Sequence, residues 1–391
     1  MNNKLLHKDV QQFIDDHLKT DLPQLIFKGS PFTDITVQEL AEQIVAKSKS
    51  KGKLPTWFNT DNIYYPKTLS VEQTSSELTA EYKSSLLAGN SIIDLTAGFG
   101  VDSYYFSKKF REVTHCELDT ELSKIAAYNF NLLGRSNITC LNKNGIEELT
   151  ENQTTYDWIY VDPSRRNELK SKVFKLNDCL PDIGLHLELL LKRSDKIMVK
   201  LSPLLDISLT IKDLNFVKEI HIIAVKNEVK ELLILIQKEY QGPAKLKTIN
   251  IVKNGFQTFD GYFPSNSTAV LSAPKKYLYE PNSAILKSGL FNEVSNELNV
   301  SKLNINSHLY TSNILIKFPG RRFHIESISK YNKKLLKKKY QFKTANITTR
   351  NFHDSVAQIR KKTGFKDGGN DFLFFTTDHQ DNAIVIHCTK V

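Results

Sequence analysis

The stretch Ser91-Ile-Ile-Asp-Leu-Thr-Ala-Gly-Phe-Gly100 decides the fold, because an apolar strand runs directly into a turn that carries two glycines. Residues 103–110 then continue at helical spacing. Glycine lets backbone N–H groups approach a ligand closely. A strand, a glycine turn and a helix in this order predict the first unit of an open α/β sheet, in which ligands bind at the carboxyl ends of the strands.

A second strand end carries a different set of chemical groups. The apolar run Trp158-Ile-Tyr-Val161 is followed by the sequence Asp162-Pro-Ser-Arg-Arg166. The proline cannot donate to a strand ladder, so the strand is expected to end there. The carboxylate, hydroxyl and guanidinium groups suit a polar substrate. One strand end shaped for a cofactor and another shaped for a substrate group predict a transferase site.

Strands and helices alternate along residues 92–201, which predicts parallel strands joined by helical crossovers. Two further strands, 219–225 and 231–238, are separated by only residues 226–230. A parallel crossover needs roughly a dozen residues or more, so this pair is predicted to be an antiparallel hairpin. We therefore predict an α/β fold with a Rossmann-like class I methyltransferase sheet of five parallel strands plus a terminal antiparallel hairpin.

Breaks in the pattern divide the chain into four regions. We predict a helical N-terminal region over residues 1–69, a catalytic domain over 70–241, and two α+β modules over 242–318 and 319–391. The break after the catalytic domain is Gly242-Pro243. A helix over residues 70–87 is predicted to deliver the chain to the first strand, and another is predicted over residues 333–340.

The first strand end is predicted to hold the methionine half of S-adenosylmethionine (SAM). Asp94 offers a carboxylate to the ammonium group, Thr96 opens the turn, and Gly98 and Gly100 leave room for a ligand beside the backbone. The alternative interpretation is a tight turn of an α/β sheet that binds nothing.

The following strand ends supply the remaining contacts in this interpretation. Glu117 lies at the end of the second strand, 23 residues after Asp94, where dinucleotide-binding folds place a carboxylate on the ribose hydroxyls. Asn144 follows the third strand, where the adenine amino group is often bound. Lys200 or Ser202, after the fifth strand, is a further candidate for contact with the substrate.

The segment Asp162-Pro163-Ser164-Arg165 resembles the Asp/Asn-Pro-Pro-aromatic signature of amino-methyltransferases, with Ser164 replacing the second proline and Arg165 the aromatic residue. An exocyclic amine is a poor nucleophile until its lone pair is freed from ring conjugation, and a carboxylate that accepts its N–H helps. Arg165 and Arg166 could instead stack on a base or hold a phosphate. An Asp-Pro turn with surface arginines is the alternative.

Positive charge is concentrated at the C-terminal end of the chain. Residues 313–391 contain 16 Lys or Arg against 6 Asp or Glu, which equals the whole formal charge of +10. Such asymmetry favours a polyanionic partner such as RNA. Arg321-Arg322 and Lys337-Lys338-Lys339 are the predicted contacts, interleaved with aromatic residues that could stack on unpaired bases. A solvated lysine-rich face is the alternative.

Composition excludes several classes of protein. No apolar stretch reaches the roughly 20 residues that a membrane helix needs, and the N-terminus has no secretory signal pattern. The cytoplasm is therefore the expected location. The four cysteines are scattered without a CxxC pair or a histidine at ligand spacing, so neither a metal site nor a disulfide framework is indicated.

Several motifs together carry a resemblance to a known family that spans nearly the whole chain. The chain is similar to bacterial class I SAM-dependent methyltransferases that end in a ferredoxin-like and a THUMP-like domain. The resemblance implies a SAM cofactor and assigns residues 242–318 and 319–391 to those two domains. By analogy with true THUMP domains it also implies delivery of an RNA substrate. The motifs are Asp94–Asp102, Val161–Arg166, Tyr279-Glu-Pro-Asn-Ser-Ala-Ile-Leu-Lys287, Phe318-Pro-Gly-Arg321, Arg350-Asn-Phe and Lys366-Asp-Gly-Gly369.

The sequence thus favours a cytoplasmic SAM-dependent methyltransferase that modifies a base nitrogen of structured RNA. The motif arrangement is similar to that of guanine-N2 methyltransferases. Two rival hypotheses stay open: a methyltransferase that acts on a protein or a small molecule, and an RNA-binding protein with a degenerate cofactor pocket. The intact acidic and glycine positions argue against the second rival.

Overall fold

The structure, a computed structural model, describes residues 1–165, 176–332, 336, 339, 340 and 343–391. The predicted helix over 333–340 therefore lies largely outside the described residues. The chain forms two compact units. The first comprises residues 1–218 and 233–241, and the second comprises residues 219–232 and 242–391.

The α-helices, numbered in chain order, are α1 (Lys8–Asp16), α2 (Leu22–Lys28), α3 (Val37–Lys53), α4 (Pro55–Phe58), α5 (Thr68–Gln73), α6 (Glu77–Ser85), α7 (Val101–Phe106), α8 (Thr120–Leu132), α9 (Gly145–Glu151), α10 (Ile183–Arg193), α11 (Ile207–Asp213), α12 (Ser283–Ser288), α13 (Phe291–Glu297) and α14 (Val356–Thr363). Two short 3-10 helices cover Asn3–Leu6 and Leu176–Asp178.

The strands are β1 (Ser91–Asp94), β2 (Glu112–Cys116), β3 (Ile138–Leu141), β4 (Trp158–Val161), β5 (Ser164–Arg165), β6 (Cys179–Leu180), β7 (Lys196–Leu201), β8 (Val217–Val225), β9 (Glu228–Gln237), β10 (Ala244–Val252), β11 (Gly255–Phe263), β12 (Tyr277–Pro281), β13 (Ser301–Lys302), β14 (Tyr310–Ser312), β15 (Gly320–Lys330), β16 (Asn346–Arg350), β17 (Asp371–Thr377) and β18 (Ala383–Lys390).

Five parallel strands form the sheet of the first unit in the order β7-β4-β1-β2-β3, as predicted. The chain winds outward from β1 to β3 and then crosses to β4 on the other side of β1. The crevice between β1 and β4 is thus the topological switch point, where open α/β sheets bind ligands. Asp94 is paired with Tyr160 of β4, so the two predicted strand ends lie side by side.

The predicted hairpin is also present, with a tighter turn than expected. Strands β8 and β9 are hydrogen-bonded neighbours joined by Lys226 and Asn227 alone. Both residues have positive φ angles, 51° and 66°. A two-residue turn with left-handed residues matches the twist of the flanking strands, and asparagine tolerates that conformation. Strand β9 therefore begins at Glu228 and not at Glu231.

The single helix predicted over residues 70–87 is wrong, because two helices occupy this region. Helix α5 ends at Gln73 and α6 begins at Glu77. The Ser76 hydroxyl accepts the backbone N–H of Thr79 and so caps α6. The preceding Ser75 is buried. A capping serine beside a buried serine stops the first helix and starts the second.

The N-terminal helices share a hydrophobic core with the turn after β1 and with helix α8. Trp57 and Tyr65 belong to the same buried cluster as Phe99, in the glycine turn, and Phe130 of α8. Polar contacts fix this packing: the Asn129 amide accepts the backbone N–H of Tyr64 at 3.0 Å and donates to its carbonyl at 2.9 Å. The region is therefore an integral part of the first unit.

The second unit contains a seven-stranded sheet in the order β13-β14-β12-β15-β18-β17-β16. Its core includes Leu278, Phe323, Phe374 and Ile386, all fully buried. In the same unit β10 pairs with β11 antiparallel and with β8 parallel. Among the residues that the structure describes, no helix is long and apolar enough to cross a membrane.

Candidate active site

Asp94, the last residue of β1, is buried, at 1% exposure. Its carboxylate accepts hydrogen bonds from the Ser103 hydroxyl (2.8 Å) and from the Thr96 backbone N–H (3.3 Å). Burial first, and then the carboxylate of Asp102, raise the pKa of Asp94 to about 8. The end of β1 thus carries a buried carboxyl group with a strong tendency to hold a proton.

Glu117 is fixed over the glycine turn by backbone donors. Its carboxylate accepts the N–H of Gly98 at 2.9 Å and the N–H of Asp119 at 2.7 Å. Gly98 has φ +57°, and a Cβ atom built on it would meet nothing within 4 Å. The turn therefore faces open space beside an oriented carboxylate, which is the arrangement expected for a ribose-binding residue.

Gly100 has a packing role that the sequence did not predict. Its φ is +87°, and a Cβ atom there would lie 2.3 Å from Phe130 and 3.2 Å from His115. His115 is fully buried, and burial lowers its pKa to about 4, so the ring is neutral at pH 7. Only glycine fits this close contact of the turn with α8 and β2.

The second motif is joined to the first through Thr96. The backbone N–H of Asp162 donates to the Thr96 hydroxyl at 2.7 Å. The Asp162 carboxylate forms an ion pair with Lys200 of β7, and the two side chains are 32% and 14% exposed. Thr96, Asp162 and Lys200 therefore tie the carboxyl ends of β1, β4 and β7 together.

A buried polar network lies close to these strand ends, and sequence reasoning missed it. Lys83 of α6 is fully buried and lies 2.7 Å from the Asp102 carboxylate of α7. Asp102 also accepts the hydroxyls of Ser75 (2.8 Å) and Tyr160 (2.9 Å). Burial opposes ionisation of Asp102, but Lys83 and then Lys200 outweigh it and hold the pKa of Asp102 below its usual value. In the sequence, the available signal was Lys83, a charged residue inside the helix predicted over residues 70–87. Its burial is seen only in the structure.

The remaining predicted residues of the first unit make fewer contacts with the ends of β1, β4 and β7. The Asn144 side-chain oxygen accepts the N–H of Ile146 at 2.9 Å and so caps α9; this uses one lone pair of that oxygen. Pro163 is half-buried and Ser164 is exposed. Ser164 and the backbone of Arg165 pair with β6. The Arg165 side chain and all of Arg166 lie outside the described part of the chain.

The predicted RNA contacts belong to the second unit. Arg321 forms an ion pair with Glu280, and Arg322 donates to the carbonyl of Ile316 at 3.4 Å. The exposed Lys339 donates to the carbonyl of Ile328 at 3.2 Å. Lys337 and Lys338 lie outside the described residues.

The switch-point groups fit SAM chemically. An oriented carboxylate at Glu117 suits ribose hydroxyls, and an ammonium group beside Asp94 would favour the ionised form of that carboxyl group, whose pKa is raised in the cofactor-free protein. The open space at Gly98 gives a ligand access to the turn. Within the described residues, no group of three or more His, Cys, Asp or Glu side chains is arranged to hold a metal ion.

Comparison with known proteins agrees with this architecture. The family model of a ferredoxin-like domain matches residues 277–319, and that of a THUMP domain-like region matches residues 320–390. A crystal structure from Porphyromonas gingivalis W83, presented as a candidate methyltransferase, is 29% identical and superposes with a TM-score of 0.88. The match covers 100% of this chain and 99% of that one. No curated protein matched the chain.

Two weaker likenesses cover less than half of the chain. A 16S rRNA N2-guanine methyltransferase from T. thermophilus, solved with AdoMet and guanosine, is 15% identical over 44% of this chain and 43% of its own, with a TM-score of 0.32. A Streptococcus thermophilus rRNA methylase is 11% identical over 42% of this chain and 95% of its own, with a TM-score of 0.30. Nothing about the reaction follows from scores this low.

The doubly wound sheet, its glycine turn and the full-length match define a class I SAM-dependent methyltransferase. Within that class, the chain carries C-terminal segments that match the family models of a ferredoxin-like and a THUMP domain-like domain.

Proposed function

We propose that this enzyme methylates a base nitrogen of structured RNA in the cytoplasm, with the N2 amine of guanine as the favoured acceptor. The observation that supports the reaction type is the position of Asp162. It follows β4 directly, and β4 pairs with the strand that ends at Asp94. Its backbone N–H is held by Thr96 and its carboxylate by Lys200. A carboxylate fixed beside the cofactor turn is suited to an amine acceptor.

In this proposal five of the six predicted cofactor residues keep the roles expected from the sequence. Asp94, Thr96 and Gly98 contact the methionine half of SAM, Glu117 binds the ribose and Asn144 meets the adenine. Gly100 acts indirectly, because its close packing on Phe130 and His115 shapes the turn. SAM supplies an electrophilic methyl group on its sulfonium. Asp94, Glu117 and Asp162, at or just after the ends of three parallel strands, are the carboxyl groups that would surround the bound cofactor.

Asp162 acts on the acceptor. Its carboxylate accepts a hydrogen bond from the N–H of the target amine, which makes the nitrogen lone pair more available for attack on the methyl carbon. The N–C bond forms as the S–C bond breaks, and the surplus proton leaves the nitrogen along the same hydrogen bond. Lys200 fixes the orientation of the carboxylate. Pro163, Ser164 and Arg165 shape the loop that receives the base.

The RNA partner is supported by charge and by the domain at the C-terminus. Residues 313–391 hold the surplus of positive charge, and the THUMP domain-like match lies in the same segment. Arg166, Arg321, Arg322, Lys337, Lys338 and Lys339 are the proposed phosphate contacts. Attraction of this kind is independent of sequence and falls with rising salt.

Mass spectrometry of nucleosides provides the test. Total tRNA and rRNA from a deletion strain should lack one methylated nucleoside, and the purified enzyme with SAM should restore it on that RNA. An Asp162→Asn variant should fail to restore it. An unchanged nucleoside profile, with no methyl transfer to RNA from the deletion strain, would reject RNA as the substrate and favour a protein or small-molecule acceptor.

A further inference from the structure

Three sequence motifs of the second unit converge on one buried carboxylate. Glu280 of β12 is 4% exposed. It forms ion pairs with Arg321 of β15 and with Arg350 of β16, the latter at 2.9 Å. These residues come from the Tyr279–Lys287, Phe318–Arg321 and Arg350–Phe352 motifs, for which the catalytic site has no use. The three motifs together build one feature of the fold.

The backbone around Glu280 is arranged for close contact. Pro281 pairs with Gly320 at the start of β15. A Cβ atom on Gly320 would lie 2.1 Å from the Glu280 carbonyl oxygen and 2.9 Å from the Pro281 Cα. Glycine is therefore required for β12 and β15 to approach at this point. The approach sets Arg321 beside Glu280.

The cluster of Glu280, Arg321 and Arg350 carries more positive than negative charge. Two guanidinium groups share one carboxylate, which leaves a net charge of +1. The Arg350 Nε atom is buried and has no hydrogen-bond acceptor among the described residues. The Arg321 and Arg350 side chains are 40% and 33% exposed, so both reach solvent. Guanidinium groups held in place with N–H groups to spare are suited to a phosphate.

Lys302 adds a further positive charge near Arg350, since both act on His308. Lys302 is 2% exposed, and its ammonium group donates to the Ile305 carbonyl at 2.9 Å. Burial first, and then the charges of Lys302 and Arg350, lower the pKa of His308 to about 4. His308 is therefore neutral at pH 7 and leaves Lys302 and Arg350 as the positive charges that act on this position.

We propose that Arg321 and Arg350, oriented by Glu280, form a clamp for a phosphodiester group of the RNA substrate. The proposal rests on the proposed function, because it assigns a specific anchor to the same RNA. Each arginine offers planar N–H donors to phosphate oxygens, and the buried carboxylate holds both donors in place before RNA arrives. Because both arginine side chains are already held in place, less conformational entropy is lost when RNA binds.

The test is binding of fluorescently labelled total tRNA to the full-length protein at several salt concentrations. Arg350→Lys and Arg321→Lys keep the charge but lose the planar fork, and each should weaken binding about tenfold or more. Glu280→Gln gives the most informative result. It raises the net charge by one, yet it should weaken binding, because both arginines lose their anchor. Lys361→Met, at an exposed position on α14, is the matched control and should change affinity by less than about threefold.

A solvated basic face predicts the opposite pattern: unchanged binding for both lysine variants and tighter binding for Glu280→Gln. That outcome would overturn the clamp while leaving RNA methylation intact. If the wild-type protein binds no tRNA at low salt, both the clamp and the proposed function fail. If inorganic phosphate at about 1 mM displaces the RNA as effectively as unlabelled tRNA does, the site binds free phosphate and the RNA assignment is wrong. Melting temperature and SAM affinity identify any variant that fails to fold, and the lysine variants then decide the question.

Discussion

Asp94 and Asp162 show how one residue type acquires two chemical characters at neighbouring strand ends. Asp94 is buried near the carboxylate of Asp102, and burial first and then that charge raise its pKa to about 8, against the lowering effect of its hydrogen bonds. Asp162 is partly exposed and is paired with Lys200. Separate environments of this kind let two carboxyl groups in one site perform separate tasks.

The raised pKa of Asp94 predicts a dependence of stability on pH. Between about pH 4 and pH 8 the folded protein keeps a proton on Asp94 that the unfolded chain releases. The contribution of this group is therefore fully present below about pH 4 and is lost as the pH rises to 8, by at most about 1.4 kcal/mol per pH unit. Asp94→Asn cannot titrate, so its free energy of unfolding should improve relative to wild type from pH 5 to pH 8.

Urea denaturation of the cofactor-free protein at each pH measures this difference. Asp61→Asn, which removes an exposed carboxyl group, is the matched control. Parallel curves for wild type and Asp94→Asn would contradict the prediction.

Asp162 and Lys200 are predicted to affect turnover more than cofactor binding. Asp162→Ala removes the acceptor for the target amine, so turnover should fall by roughly tenfold to a hundredfold, the worth of one charge-assisted hydrogen bond. SAM affinity, measured by calorimetry, should stay close to wild type. Lys200→Met should lower turnover as well, and Lys200→Arg should restore part of it because the ion pair can re-form. Full turnover in Asp162→Ala would remove its catalytic role.

At the scale of secondary-structure elements, the β1–α7 turn contains two glycines that differ in purpose. A Cβ atom at Gly98 would meet open space, whereas one at Gly100 would overlap Phe130. Gly98→Ala should therefore cost about 1 kcal/mol of stability for its left-handed backbone and weaken SAM binding, because the methyl group occupies space reserved for the ligand. Gly100→Ala should cost more stability, about 2 kcal/mol or more.

Thermal unfolding and calorimetry with SAM check this pair of variants. The two substitutions serve as controls for each other, since both add one methyl group to the same turn. Equal loss of stability in both, with SAM affinity unchanged in Gly98→Ala, would contradict the division of roles.

Some of the secondary-structure elements were predicted correctly and others were missed. The five parallel strands and the hairpin follow from apolar periodicity and connection length, which depend on nearby residues. The break between α5 and α6 was missed, because it depends on Ser75 reaching Asp102 and Lys83, two contacts that only the folded chain brings together. Strand β15 was missed for a related reason. Most of its residues are polar, so it lacks the strongly apolar face that indicates a strand. Its partners β12 and β18 lie far away in the sequence.

The same limit applies to the candidate site. The ligand-type residues at strand ends could be named from the sequence because the fold places all carboxyl ends at one edge. Their partners could not, since the Asp162–Lys200 and Glu280–Arg350 pairs join residues from different elements. Ion pairs between distant residues leave no local pattern.

At the scale of the whole molecule, charge separates the chain into a nearly balanced catalytic part and a basic C-terminal part. If Lys337, Lys338 and Lys339 each contact a phosphate, replacing all three by glutamine should reduce the slope of log affinity against log salt by about two to three units. Fluorescence anisotropy with tRNA at several salt concentrations measures that slope.

The control for the lysine replacement is the same change at Lys8, Lys19 and Lys28, which are exposed in the N-terminal region. It removes an equal charge from the other part of the chain. A slope that falls equally in both triple variants would mean that RNA responds only to net charge.

The seven-stranded sheet has a consequence for how this protein can be divided. The two family models meet between residues 319 and 320, yet β12 on one side pairs with β15 on the other along Tyr277–Pro281. A cut at that junction would leave two strands with unpaired edges, and exposed edges promote aggregation. We therefore expect the ferredoxin-like and THUMP-like segments to fold together and to survive limited proteolysis as one block.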